Sequence, residues 1–109
     1  MIRIRLHIDG AMLVALDAEG HARSGPKGSD VACASVSTLL RSVCISLETI
    51  PGADIQGGAE KEGDLHLRVL SVPGDLRAEV RGITRVLLLG LEEIMKDFPG
   101  SLTIDVVSE

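Results

Sequence analysis

A chain of 109 residues, 45% hydrophobic and 25% charged, is long enough to bury one core and too short for two domains, which excludes a disordered or tandem architecture. Phe98 is the one aromatic residue, so the core is aliphatic and binding by aromatic stacking is excluded. Sixteen acidic against eleven basic side chains leave a net charge of -5, the wrong sign for a protein that lives on phosphate backbones and a suitable one for a basic partner.

Ile2, Ile4, Leu6 and Ile8 alternate with Arg3, Arg5, His7 and Asp9, the period of two expected of a half-buried strand. That alternation differs from the basic start and continuous apolar stretch of a signal peptide, so a cytoplasmic protein is expected. Asp9-Gly10 reads as a two-residue hairpin turn into a second strand, Ala11 to Ala18, with Met12, Val14 and Leu16 on one face. From Glu19 to Ser29 the pattern dissolves into a loop punctuated by Gly20, Gly25, Pro26 and Gly28. Asp30 then stands where a helix cap belongs, and Val36, Leu39, Leu40, Val43, Leu47 and Ile50 recur at spacings of three and four until Pro51-Gly52.

Asp54 to Glu60 reads as a strand diluted by Gly57 and Gly58. After a turn near Glu62-Gly63, Leu65, Leu67 and Val69 alternate with His66, Arg68 and Leu70. Beyond Pro73-Gly74, Leu76, Val80, Ile83, Leu87, Leu91, Ile94 and Phe98 form a long helical stripe, and Leu102, Ile104 and Val106 a last strand. The order β-β-α-β-β-α-β predicts an α/β two-layer sandwich, two helices packed on one mixed sheet, as a single domain over residues 1–109. Val86, Leu88 and Leu89 exceed what one helix face needs; they are extra core or a surface buried against a second copy, with the second reading favoured. The longest strongly apolar run, Val86 to Leu89, falls far short of the roughly 20 residues that span a bilayer, so no membrane partner is expected.

One region is chemically unusual. The glycine-bearing loop carries His21 and leads into a helix whose first turn holds Cys33. With Asp30 as cap, Cys33 is the third helical residue, where free backbone N–H groups and the positive end of the dipole favour a thiolate. His21 can fold back to take the thiol proton and later return it to a leaving amine. The bland alternative stands beside this: a cysteine near a helix start is commonly a small buried hydrophobe, and a lone loop histidine a solvated surface residue. Asp30 as a carboxylate would oppose thiolate formation unless it pairs with His21, and the cap role is favoured. Cys44 lies eleven residues after Cys33, a rise of about 16 Å on one helix, too far for a disulfide; both are expected as free thiols, Cys44 as inert core. His7 and His66 fall on polar strand faces and are expected to be exposed. No zinc-ligand spacing and no nucleotide-binding glycine signature occurs, so neither metal nor cofactor is implied.

These residues resemble the ribosomal-processing cysteine protease family, Prp, whose signature is Gly-His-Ala, a short glycine-bearing loop, Gly-x-Asp-[Ile/Val]-x-Cys-Ala and a serine in the next turn. Here they stand as Gly20-His21-Ala22, Gly28-Ser29-Asp30-Val31-Ala32-Cys33-Ala34 and Ser37. Ala32 stands where the family often has Val, and Ser35 where Ala or Gly is common. The resemblance implies a homodimeric, cofactor-free endopeptidase that removes an N-terminal extension from bacterial large-subunit ribosomal protein twenty-seven, without direct nucleic-acid binding. It implies His21 as base, Cys33 as nucleophile, Asp30 and Ser37 as supporting residues, and the Gly20, Gly25 and Gly28 loop as a flexible cover over the substrate. The competing readings are a non-catalytic ribosome-associated or regulatory homodimer of the same fold, and a redox sensor. The sensor lacks a resolving cysteine, because Cys44 is out of reach.

Overall fold

The computed structural model describes residues 1–20, 29–61 and 64–109, with the backbone alone described for residues 29, 30 and 59–61. The elements run β1 (Ile2–Asp9), β2 (Met12–Glu19), α1 (Ser29–Glu48), β3 (Asp54–Lys61), β4 (Asp64–Ser71), a 3-10 turn (Gly74–Leu76), α2 (Arg77–Asp97) and β5 (Leu102–Ser108). The expected order is the observed one. The strands form one sheet in the order β3-β4-β2-β1-β5, antiparallel except where β1 and β5 run parallel, and so mixed.

Both helices cover one face of the sheet. Ile2, Ile4, Leu6 and Ile8 of β1 and Leu65, Leu67 and Val69 of β4 meet Val36, Leu40, Val43 and Leu47 of α1 and Val80, Leu87 and Leu91 of α2 in one aliphatic core. The α1 window Val31–Glu48 is long and apolar enough to pass as a membrane span on composition. Its apolar stripe is instead spent on this core, with Arg41 and Glu48 exposed on the other side.

The first hairpin corrects two expectations. Asp9 pairs with Met12, so the turn is Gly10-Ala11, and both residues take the left-handed conformation (φ 57° and 64°) that such a turn needs. Val14 is an extra residue between Leu13, opposite Ile8, and Ala15, opposite His7. This bulge changes the parity of the strand, so Leu13 takes the core position expected of Val14, while Leu16 faces the core as expected and Met12 packs against it half-buried. Thr84 of α2, the one buried polar side chain among the described residues, fastens the bulge: its Oγ1 accepts from the Leu13 N–H at 2.9 Å and donates to the Val80 carbonyl at 2.8 Å.

On α2, Leu87 and Leu91 are core, whereas Val86 (61% exposed), Leu89 (51%) and Leu88 (37%) are not, which removes the extra-core alternative for those three. Leu39 of α1 is half-buried because it packs where the helices cross, so close to Gly90 that a side chain there would run into it.

Candidate active site

The chain leaves β2 at the end of the sheet where β1 and β5 begin, since Glu19 lies opposite Arg3 and Ile2 opposite Leu102. The β3–β4 hairpin closes at that end too, with Ala18 opposite Leu65 and Lys61 opposite Asp64. Gly20 makes the exit, at φ 99° and at a place where any Cβ would collide with the Met1 carbonyl. His21, Gly25 and Gly28 lie outside the described residues. The turn near Glu62-Gly63 does as well.

α1 begins at Ser29, one residue before the expected cap, so Asp30 is inside the first helical turn and Cys33 is the fifth helical residue. The Cys33 N–H therefore belongs to the intrahelical ladder, and the free N–H groups are those one turn before it. Cys33 is a free thiol, half-buried and packed against the edge of the core. Ala32 and Val36 beside it are fully enclosed, while Val31, Ala34 and Ser37 are exposed. Positions 30, 33 and 37, spaced by three and four, share one face of the helix. Ser35, which with Ala32 is one of the two departures from the family pattern, donates its hydroxyl to the Val31 carbonyl at 2.9 Å along the helix. Cys44 is buried and its thiol is pushed up to about 11, first by burial and then by the Glu48 carboxylate one turn on.

A polar cluster that sequence reasoning did not assemble lies on the open face of the sheet. Asp17 on β2 accepts from His66 Nδ1 at 2.7 Å and from Arg68 Nη1 at 3.1 Å, both on β4. Partial burial pushes its carboxyl up, but these two donors outweigh it and hold the group below its ordinary value. The period-two pattern placed these side chains on polar faces, with His66 exposed as expected and His7 half-buried. Only the register brings Asp17 opposite His66. Among the described residues no three His, Cys, Asp or Glu side chains group as metal ligands.

The family model for cysteine protease Prp matches residues 1–103. The chain belongs to this family. Among solved structures, SMU.848 from Streptococcus mutans is similar at 26% identity and TM-score 0.75, over 100% of this chain and 96% of that one. The ribosomal processing protease Prp from S. aureus in complex with a substrate peptide is similar at 18% identity and TM-score 0.78, over 97% of this chain and 99% of that one. The same protease with a covalently linked product peptide gives 19% identity and TM-score 0.76, over the same shares of the two chains. At those identities the likeness to the S. aureus Prp structures is one of fold. No sequence among curated proteins matches significantly.

Proposed function

We propose that this Prp-family protease is an endopeptidase that removes the N-terminal extension of large-subunit ribosomal protein twenty-seven, working in the cytoplasm as a homodimer with Cys33 as nucleophile and His21 as base. The observation that carries this reading is the family match over residues 1–103, which spans both residues, together with a half-buried free Cys33 in the second turn of α1. The S. aureus Prp structures with a substrate peptide and with a covalently linked product peptide support a peptide substrate and a covalent route.

In this mechanism the Cys33 thiol gives its proton to His21 and the sulfur attacks the scissile carbonyl carbon. The oxyanion is stabilised by the free N–H groups at the start of α1, and collapses as His21 returns the proton to the leaving amine. Water, deprotonated by His21, then hydrolyses the thioester, releasing the carboxylate and restoring the thiol. Asp30 and Ser37, on the helix face of Cys33, act as supporting residues. A net charge of -5 favours encounter with a basic ribosomal protein.

The test is intact-mass analysis of the full-length ribosomal protein after incubation with the parent, Cys33→Ala and His21→Ala. Loss of an N-terminal segment with the parent alone is the expected result. An uncut substrate with folded, reduced parent overturns the assignment and leaves the non-catalytic dimer.

A further inference from the structure

The cluster of Asp17, His66 and Arg68 stands at a join in the sheet on which the candidate site depends. β2 carries Asp17 and then, three residues on, the Gly20 exit through which the chain continues to His21. Its neighbours are β1 on one side and β4 on the other. The pairing with β4 runs from Ala15, opposite Arg68, to Ala18, opposite Leu65, and stops there. One pair further would set Glu19 against Asp64, two exposed carboxylates, and like charges directly opposite work against strand pairing. On its other side Glu19 lies opposite Arg3 of β1. The end of β2 is thus drawn toward β1 and away from β4, and strand ends are where a sheet opens most easily.

The side chains of the open face counter that bias one residue inside the last pair. Arg5 of β1 lies directly opposite Asp17, but its Nε is 3.4 Å from Asp105 of β5. Asp17 reaches the other way and accepts from His66 Nδ1 at 2.7 Å and Arg68 Nη1 at 3.1 Å. Arg68 Nη1 also donates to the Leu67 carbonyl at 2.8 Å, which fixes the guanidinium to its own strand. The Asp17 side chain is 25% exposed, against 65% for Asp105 in its pair with Arg5, so solvent screens its bonds less. Two donors from β4 on one carboxylate of β2 make a clasp between the strands, four residues before His21.

We propose that Asp17 and His66 are positioning residues for the cleavage reaction: by clasping the end of β2 to β4 they fix the point from which the chain proceeds to His21, and so the approach of the base to Cys33. The proposal rests on the dyad of the proposed function and deepens it. Both residues act through His21. A base must stand within hydrogen-bond reach of the proton it takes, and a displacement of about 1 Å costs up to about a hundredfold in rate.

Iodoacetamide reacts with a cysteine thiolate, so its rate at Cys33 reports whether His21 takes the proton. Mass spectrometry reads that rate on the parent, Asp17→Ala, His21→Ala and the double variant, with cleavage of the full-length ribosomal protein assayed on the same samples. Asp17→Ala slows alkylation about fivefold and cleavage about tenfold. The double variant is no slower than His21→Ala, because the clasp then has no base to position. Asp17→Asn, which keeps an acceptor oxygen, and His66→Asn, whose amide nitrogen stands where Nδ1 stood, recover most of the loss. An Asp17→Ala variant that alkylates and cleaves like the parent overturns the proposal and leaves the protease. Additive losses in the double variant also overturn it, since a general loss of structure adds to any other defect. The expected alkylation pattern in a parent that leaves the ribosomal protein uncut supports the clasp and speaks against that substrate alone. Alkylation indifferent to His21→Ala removes the dyad and the proposal with it.

Discussion

Cys33 and Cys44 share one helix and one element type, yet they are chemically different groups. Cys33 is half-buried near the start of α1, with exposed Ser37 one turn on; Cys44 is enclosed by the core, with its thiol held protonated up to about 11. The difference teaches that position along a helix decides what a thiol can do. The N-terminal end leaves donors free and solvent near, whereas the middle of the apolar stripe removes water and disfavours the charged form.

The largest expected effect divides the two outright. Cys33→Ala lowers peptide cleavage at least about a thousandfold, while Cys44→Ala retains it; parallel turnover assays check this, and equal losses would erase the distinction. Next, Leu47→Ala, which opens the core one turn from Cys44, costs about 2–5 kcal/mol in denaturant unfolding. It also makes Cys44 reactive toward iodoacetamide in the native state. In the parent at pH 8, Cys44 carries roughly a hundredfold fewer thiolates than an ordinary cysteine, so mass spectrometry should find Cys33 labelled and Cys44 protected.

A smaller effect appears at alkaline pH. The folded value of Cys44 lies above its unfolded one near 9, so the neutral thiol favours the folded state fully below pH 9. That contribution, about 2–3 kcal/mol for the full shift, is lost as pH rises from 9 through 11. Unfolding series on parent and Cys44→Ala separate it from general titration. The smallest effect belongs to the open face. Asp17 has a depressed value, so its contribution is present above about pH 4 and fades as acid protonates the folded carboxylate. With partners that are half exposed, Asp17→Asn costs under about 1 kcal/mol at neutral pH and leaves the alkaline transition unchanged.

Much of the candidate site was legible because it is local. Gly20-His21-Ala22 and the Asp30 to Ser37 segment are short, and one helix places positions 30, 33 and 37 together without help from the rest of the fold. The start of that helix was less legible. Asp30 is a good cap by type, but the backbone enters the helix at Ser29, which moves Cys33 beyond the first turn. The Asp17, His66 and Arg68 cluster was not legible at all, since forty-nine residues separate Asp17 from His66.

The order of elements, the aliphatic core, the helix carrying both cysteines and the family resemblance follow from the sequence alone, because hydrophobic period and turn chemistry are properties of neighbours along the chain. The tertiary structure decided the strand order β3-β4-β2-β1-β5, the bulge at Val14 that turns Leu13 into the core, and the Thr84 hydroxyl that holds it. It also decided that Val86, Leu88 and Leu89 stay uncovered. Register and burial depend on which distant segments meet, and a one-residue bulge is enough to reverse every side chain beyond it.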